Sequence, residues 1–342
     1  MDMAAGIDFR REAAPATDGD AVAALKALLD GEMSATKALI ADRLGSHVTK
    51  IPDLAGHLIR SGGKRLRPLV TLASARMFDY GGDAHVKLGA AVEFIHTATL
   101  LHDDVVDRSD RRRGAYTANV IWGNQSSVLV GDFLFSRAFE LMVEAGDLRV
   151  LEILSRASSV IVEGELMQLE TQNNPDATLD DYLKVIDAKT AELFAAAAEA
   201  GAVIAGCGPR DCAAMRAFGR ELGLAFQLVD DVLDYTGEND ALGKNTGDDF
   251  REGKMTMPLV IALSESNGDW EAFWDRIFSG EQEPADFIRA MNFMREIGAF
   301  DATLDRARAL ADEAKARLAP LPENAFRQAL ADLADFAVSR GY

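Results

Sequence analysis

The chain has 342 residues, of which 55 are acidic and 36 are basic, and its formal net charge is −19 at pH 7. A net charge of this sign disfavours nonspecific binding to nucleic acid or to an anionic bilayer, so neither is an expected partner. Only two cysteines occur, and neither has a neighbouring histidine or a second cysteine pair, which excludes a disulfide scaffold and predicts free thiols in a reducing, cytoplasmic location.

The predicted elements are almost entirely helices. From residue 21 onward apolar residues recur at spacings of three and four, and no stretch alternates as a strand would. The sequence therefore predicts an all-α protein with a disordered segment over residues 1–20 and one helical domain over residues 21–342. The helices are expected at 21–44, 48–61, 65–79, 84–107, 125–145, 147–172, 178–206, 210–236, 256–266, 269–279, 284–296, 299–318 and 323–339, with breaks where Gly, Pro, Asn and Asp gather.

No predicted helix has the composition of a membrane span. The most apolar run, residues 191–207, contains Glu192 and Glu199 and is too short to cross a bilayer. The first residues also lack the basic and apolar regions of a secretory signal. We therefore expect neither an integral membrane segment nor a signal peptide.

Residues 236–254 differ from the helical stretches on either side. This segment holds four glycines among charged residues, a composition that predicts a flexible loop. Long loops without structure of their own are often functional. Because the segment directly follows a cluster of acidic residues, we interpret it as a lid over a site, with a plain surface loop as the alternative.

Two acidic clusters share the pattern Asp-Asp-x-x-Asp, and they comprise Asp103, Asp104, Asp107, Asp230, Asp231 and Asp234. On a helix, positions i, i+1 and i+4 lie close together on one face. Both clusters are flanked by apolar residues, and burying several like charges requires cations. Since Mg²⁺ prefers carboxylate oxygens and keeps coordination positions for phosphates, the six acids predict a magnesium site on two facing helices.

Basic residues near these acids predict sites for phosphate groups. Lys64 and Arg67 stand three apart at a predicted helix start, where free N–H groups and the helix dipole attract anions. Residues 111–113 are three consecutive arginines that follow the first acidic cluster, and a surface run that balances nearby acids is the alternative for them. No Walker motif occurs, so the phosphates are not those of a P-loop nucleotide.

His96 lies two helical turns before Asp103 and is expected to face the same cavity. Together with Glu93 it forms a Glu-x-x-His pair, which is also found in di-iron helix bundles. A di-iron site requires a second such pair. None of the other four histidines has a glutamate three residues before it, which disfavours that alternative.

These motifs resemble the trans-isoprenyl (polyprenyl) diphosphate synthases over nearly the whole chain, most closely the octaprenyl and decaprenyl diphosphate synthases. Besides the two aspartate clusters, the resemblance rests on residues 62–68, 94–96, 112–114, 189–190, 226–227 and 243–249. It implies the isoprenoid synthase fold, a single-domain multi-helix bundle around a deep central cavity, and a homodimer. It also implies condensation of isopentenyl diphosphate with an allylic diphosphate, such as farnesyl or geranylgeranyl diphosphate.

The resemblance further implies a role for each matching residue. Asp103, Asp107 and Asp230 would hold Mg²⁺, three ions in the substrate complex, while Asp104, Asp231 and Asp234 would ligate or orient the metal shell. The isopentenyl diphosphate site would comprise Lys64, Arg67, His96 and Arg113. The allylic site would comprise Arg112, Lys189, Thr190, Gln227, Lys244 and Lys254. The expected catalytic residues are Asp103, Asp104, Asp107, Arg112, Lys189, Asp230, Asp231 and Lys244.

Product length is expected to depend on the helix that enters the first aspartate cluster. Ala98 stands five positions before Asp103, and with Ile95 and Ala91 it would form a wall beside the growing hydrocarbon tail. In the family a small residue at this place is associated with long products, here octaprenyl to decaprenyl diphosphate for quinone side chains. Close helix packing is the other explanation for Ala98.

Three other functions stay open: a synthase of farnesyl or geranylgeranyl diphosphate, a terpene cyclase and a non-catalytic partner subunit. The cyclase is disfavoured by the second aspartate cluster and by the basic set around Lys64, since a cyclase needs no second diphosphate site. The silent subunit is disfavoured because no acidic or basic ligand is missing.

Overall fold

The structure is a computed structural model that describes residues 20–60, 63–112, 114–237 and 246–340. Its helices are α1 (Asp20–Leu28), α2 (Asp30–Arg43), α3 (Lys50–Arg60), α4 (Leu66–Met77), α5 (Ala84–Val106), α6 (Ala118–Trp122), α7 (Asn124–Ala145), α8 (Leu148–Thr171), α9 (Leu179–Ile186), α10 (Glu192–Ile204), α11 (Pro209–Thr236), α12 (Asp248–Arg251), α13 (Met257–Ser264), α14 (Asp269–Phe278), α15 (Asp286–Glu296), α16 (Ala299–Leu318) and α17 (Ala325–Ser339). A π-helical turn (Asp187–Ala191) joins α9 to α10. The strands β1 (Arg111–Arg112) and β2 (Ala115–Tyr116) form a short antiparallel hairpin.

Local sequence signals account for several helix ends. Thr178 and Asp181 form a capping box in which each side chain accepts the other's backbone N–H, so α9 begins after Thr178. Asn324 accepts the N–H groups of Phe326 and Arg327 at the start of α17. Pro209 occupies the first turn of α11, where its missing N–H costs no intrahelical hydrogen bond.

The long helix α11 connects the two apolar clusters of the core. Phe218 and Leu222 belong to the cluster built around α4, α5, α7 and α10, whereas Leu224 and Leu228 belong to the cluster built around α13 to α16. Each fully buried Leu or Phe side chain contributes about 1.5–3 kcal/mol of transfer free energy. Because α11 contributes to both clusters, the orientation of its second half, which carries Asp230, is determined by the whole bundle.

Two glycines allow α11 to approach the backbone of the preceding segment. A Cβ atom at Gly219 would lie 2.3 Å from the Phe194 carbonyl oxygen, and one at Gly223 would lie 2.6 Å from the Ala191 Cα. The two glycines stand four positions apart and therefore share one face. The same spacing continues to Gln227 and Asp231, so this close approach brings both side chains alongside the π-helical turn.

The all-α prediction is confirmed, and several local details of the sequence prediction were wrong. The predicted helix 21–44 is interrupted at Leu29, and helix 178–206 contains the π-helical turn, whose extra residue leaves little trace in apolar spacing. The short hairpin and α6 were missed because two- and five-residue elements carry almost no periodicity. Helix α12 lies inside the predicted loop 236–254, and Asp20 already belongs to α1.

Two further predictions concern the cysteines and membrane spans. Both cysteines are free thiols. Among the described helices none combines the length and apolar content needed to cross a membrane. Residues 1–19, to which most of the predicted disordered segment belongs, lie outside the described residues.

Gly223→Ala is expected to lower the free energy of unfolding by about 1–3 kcal/mol, because the new methyl group meets the Ala191 backbone and α11 must shift. Gly31→Ala is the matched control, since a Cβ atom there meets nothing within 4 Å and alanine favours the helix by up to about 1 kcal/mol. Urea denaturation measures both changes. Equal stability of the two variants would contradict the close approach of α11.

Candidate active site

A cavity of about 570 Å³ opens between α4, α5, α8, the π-helical turn and α11. The sequence-predicted site residues on its wall are Lys64, Arg67, His96, Asp103, Asp107, Arg112, Lys189, Thr190, Gln227, Asp230, Asp231, Asp234 and Lys254. Residues from segments far apart in the sequence therefore meet at one cavity. Its wall combines acidic groups from both aspartate clusters with basic groups from four other segments.

Helix α5 presents the first aspartate cluster. His96, Asp103 and Asp107 are spaced by seven and four residues, so they share the face of α5 that lines the cavity. Asp104 is turned away from that face: its side chain is 1% exposed, and its Oδ1 accepts a hydrogen bond at 2.8 Å from the Arg112 guanidinium. The structure therefore separates the three acids of the first cluster into two cavity residues and one partner of Arg112.

Helix α11 presents the second cluster with three different environments. Asp230 pairs with the Arg340 guanidinium at 3.1 Å, and Asp234 accepts the backbone N–H of Asp249 at 3.2 Å. Asp231 is 3% exposed and accepts hydrogen bonds from the Tyr182 hydroxyl at 2.5 Å and from the Gln227 amide at 2.7 Å. Burial, reinforced by the nearby Asp249 carboxylate, raises the pKa of Asp231 to about 8.

Lys254 supplies a positive charge between the acids. Its ammonium lies 3.0 Å from Asp107, 2.6 Å from Glu252 and 3.7 Å from Asp249. Burial by itself would lower the pKa of Lys254, but the surrounding carboxylates of Asp249, Asp107 and Glu252 raise it. Lys254 therefore remains charged and offsets the repulsion between Asp107 on one segment and Asp249 and Glu252 on another.

The donor set of the cavity suits a hard divalent cation bound together with a phosphate group. Both aspartate clusters offer carboxylate oxygens to one cavity. Within the described residues no three acidic, histidine or cysteine side chains form a ready-made metal site. Mg²⁺ usually takes one or two carboxylates and completes its shell with water and substrate phosphates, so these residues fit magnesium diphosphate better than a bare ion.

The predicted isopentenyl diphosphate residues lie around the start of α4. Arg67 approaches His96, with 3.3 Å between Nη1 and Nε2, and its guanidinium stands 4.3 Å from the Phe194 ring centroid. The Lys64 ammonium stands 4.3 Å from the Phe336 ring centroid. The first turn of α4 adds its N–H groups and dipole to these cations, an arrangement that favours an anion.

The predicted allylic-site residues lie on the π-helical turn and on α11. Lys189 pairs with Glu165 at 2.8 Å, and the Thr190 hydroxyl donates to the Gln227 side-chain oxygen at 2.8 Å. A Cβ atom at Gly164 would lie 2.7 Å from the backbone nitrogen of Lys189, so α8 contacts the π-helical turn directly. Single π-helical turns occur frequently at functional sites, and this one carries both Lys189 and Thr190.

Some predicted residues are not placed on the cavity wall. Arg113 and Lys244 lie outside the described residues. Ala91, Ile95 and Ala98 are fully buried in the first core cluster and are not among the residues that line the cavity. Their role as a wall for the growing tail stays a prediction.

The sequence reading missed several side chains on the cavity wall, namely Glu165, Gln168, Tyr182, Asp249 and Arg340. Asp249 stands inside the quoted segment 243–249, so a signal was present for it. Arg340 and Tyr182 belong to no recurrent pattern. Burial and the nearby Asp103 carboxylate raise the pKa of Glu165 to about 7, with Lys189 opposing the shift.

Comparison with known proteins identifies the family. The family model described as Polyprenyl synthetase matches residues 48–294. The chain belongs to this family. It is 45% identical to the octaprenyl diphosphate synthase of Escherichia coli (strain K12) over 312 residues, which cover 90% of this chain and 96% of that protein.

Solved structures of the polyprenyl synthetase family have the same fold. A polyprenyl synthase from Caulobacter crescentus CB15, complexed with calcium and isoprenyl diphosphate, is 56% identical with a TM-score of 0.91, covering 94% of this chain and 98% of that one. A decaprenyl diphosphate synthase from Rhodobacter capsulatus is 50% identical with a TM-score of 0.90, and the match covers 94% of this chain and 99% of that one. The predicted family and the isoprenoid synthase fold are confirmed, and this polyprenyl synthetase is a prenyltransferase.

Lys254→Met is expected to lower the melting temperature in EDTA, because three carboxylates then face one another without their ammonium, at a cost of about 3–5 kcal/mol. Mg²⁺ with inorganic diphosphate is expected to raise the melting temperature of this variant more than that of the wild type. The control is Lys184→Met, an exposed lysine paired with Asp180, which should melt like the wild type. Identical melting of K254M and wild type in EDTA would contradict the role of Lys254.

Proposed function

We propose that this polyprenyl synthetase is a magnesium-dependent synthase of a long all-trans polyprenyl diphosphate, octaprenyl to decaprenyl, for quinone side chains. It would act in the cytoplasm on isopentenyl diphosphate and an allylic diphosphate such as farnesyl or geranylgeranyl diphosphate. The observation that carries the proposal is the meeting of both aspartate clusters with two sets of basic residues at one cavity. The names of the octaprenyl and decaprenyl relatives support the long product.

Two diphosphate sites follow from the positions of the basic residues. Lys64, Arg67 and His96 would bind the diphosphate of isopentenyl diphosphate at the start of α4. The allylic diphosphate would be bound by Arg112, Lys189, Thr190, Gln227 and Lys254. A terpene cyclase has no use for two such sites, so the first set favours prenyl transfer.

Asp103, Asp107 and Asp230 would hold the magnesium ions, three in the substrate complex, and Asp234 would support them. When bound, Mg²⁺ neutralises the charge of the diphosphate leaving group. The calcium and isoprenyl diphosphate of the Caulobacter complex support a cation and diphosphate at such a site. Asp104 and Asp231 would act indirectly. Arg112 holds Asp104, and Tyr182 and Gln227 hold Asp231.

The protein's own groups would bind, orient and exclude water. As the allylic carbon–oxygen bond breaks, the diphosphate leaves with the electron pair, and Arg112 and Lys189 stabilise the developing anion. The double bond of isopentenyl diphosphate then attacks the allylic cation, and a proton leaves to the departed diphosphate. No nucleophilic side chain is needed, and closure of the site around the substrates would keep water from the cation.

We also infer that two copies of the chain form a homodimer. Large apolar side chains are exposed on α7 and α8, among them Leu129 at 67%, Val143 at 64% and Leu166 at 57%. Exposed apolar surface of this kind is typical of protein interfaces. A second copy packed against these helices would remove them from water.

Purified protein with Mg²⁺, farnesyl diphosphate and labelled isopentenyl diphosphate is expected to yield octaprenyl to decaprenyl diphosphate. Asp103→Ala should reduce turnover by about 100-fold or more, because it removes a ligand of the leaving group's counter-ions. Its melting temperature should not fall, since one of several repelling carboxylates is lost. Asp305→Ala, at an exposed helical aspartate, is the control and should behave like the wild type.

Product sizing distinguishes the alternatives. Products no longer than geranylgeranyl diphosphate would overturn the long-chain proposal, and a cyclic hydrocarbon would indicate a cyclase. Absence of both isopentenyl diphosphate incorporation and a cyclic product would leave only a non-catalytic subunit.

Ala98→Phe is expected to shorten the product, because a bulky ring beside the first aspartate cluster obstructs the growing tail. Ala98 is fully buried, so the tail must displace neighbouring side chains to pass it. Ala98→Ser changes the volume little and should keep the wild-type chain lengths. If a folded A98F variant makes wild-type products, the tail does not pass this residue.

A further inference from the structure

Asp231 differs from its two neighbours in the second aspartate cluster. Asp230 pairs with the Arg340 guanidinium, whereas both carboxylate oxygens of Asp231 accept hydrogen bonds from neutral donors. One donor is the Tyr182 hydroxyl, at 2.5 Å from Oδ2, and the other is the Gln227 amide, at 2.7 Å from Oδ1. Tyr182 is 3% exposed, and its ring packs in the second core cluster. The hydroxyl is therefore held in place by the core and not by solvent.

The hydrogen bonds of Asp231 determine the orientation of the Gln227 amide. The Gln227 nitrogen donates to Asp231 Oδ1, so the amide oxygen of Gln227 faces the other way. That oxygen accepts the Thr190 hydroxyl at 2.8 Å. Within the described residues Asp231 is the one acceptor of the Gln227 nitrogen, so its second N–H is available to an anionic ligand in the cavity. Tyr182, Asp231, Gln227 and Thr190 thus form one connected chain of hydrogen bonds, in which Asp231 accepts from both sides.

This chain ties both ends of one segment to α11. Tyr182 on α9 bonds to Asp231, and Thr190, at the end of the π-helical turn, bonds to Gln227 one helical turn earlier on α11. Between these two attachments lies Lys189, whose ammonium lines the cavity. A π-helical turn is less regular than an α-helix, so its side chains depend on such outside contacts for their direction.

We propose that Tyr182 is a positioning residue for the allylic half of the site. Its hydroxyl holds Asp231, Asp231 orients the Gln227 amide, and Gln227 with Thr190 holds the π-helical turn that carries Lys189. This inference rests on the proposed prenyl transfer and adds a residue that acts through Asp231, to which its hydroxyl donates a hydrogen bond. The isopentenyl diphosphate residues around α4 are outside the hydrogen-bond chain.

The test is Tyr182→Phe, which removes one oxygen and keeps the ring in the core. The KM for farnesyl diphosphate is expected to rise about tenfold, as for loss of one buried hydrogen bond, while the KM for isopentenyl diphosphate changes less than twofold. Calorimetric titration with a non-reacting thio analogue of farnesyl diphosphate and Mg²⁺ should show the same tenfold weakening.

Tyr235→Phe is the matched control. Tyr235 is also almost fully buried, and its hydroxyl lies 3.0 Å from Thr256 Oγ1, outside the chain that leads to Gln227. The Y235F variant should lose about as much stability as Y182F and keep the wild-type KM for farnesyl diphosphate. An equal rise of that KM in both variants would show a general structural effect and overturn the proposal.

A double-mutant cycle with Gln227→Leu tests the connection itself. If Tyr182 acts through Gln227, adding Y182F to Q227L should change the KM for farnesyl diphosphate less than twofold, since coupled residues are not additive. Additive effects would overturn the chain. Should Y182F fail to fold, Thr190→Val removes the hydroxyl at the other end. The same rise in KM is expected there, and an unchanged KM would overturn the proposal.

The failure of this inference can be told from failure of the proposed function. A wild-type protein that incorporates no isopentenyl diphosphate refutes prenyl transfer. An active wild type together with a Y182F variant of wild-type KM refutes only the role of Tyr182.

Discussion

Repulsion among carboxylates that share one cavity is the constraint on which the rest of this structure depends. Two helices place their acidic clusters against the same space, and like charges brought out of bulk water repel strongly. Three cations from elsewhere in the chain offset the repulsion: Arg112 at Asp104, Lys254 at Asp107 and Arg340 at Asp230. The bundle is thus held in a form in which cations already contact the acids.

The same arrangement explains why the site suits magnesium diphosphate. A charged substrate with its metal ions brings both cations and anions, so the acids gain new partners while the lysines and arginines gain phosphate oxygens. In our proposal, exchange of internal ion pairs for substrate contacts would lower the cost of binding a highly charged ligand. Lys254 is the last residue of the predicted lid segment, so its ion pair with Asp107 links the end of that segment to the first aspartate cluster.

Close backbone contact between α10, the π-helical turn and α11 determines where the side chains of the proposed allylic site lie. Gly219 and Gly223 allow this contact, and Gln227 and Asp231 continue the same face. The side chains that meet the allylic substrate in our proposal therefore depend on packing that involves two glycines without functional groups. Their hydrogen bonds to Tyr182 and Thr190 extend the contact into the cavity.

The sequence by itself determined the all-α fold, the family and most of the charged residues on the cavity wall, because helical periodicity and the Asp-Asp-x-x-Asp spacing are local properties. Only the tertiary structure decided that Asp104 faces Arg112 and that Asp231 faces Tyr182. Successive residues on a helix point about 100° apart, so a triplet cannot send all its side chains to one partner. Which neighbour each acid meets depends on segments as distant as Arg340, and that arrangement exists only once the bundle has packed.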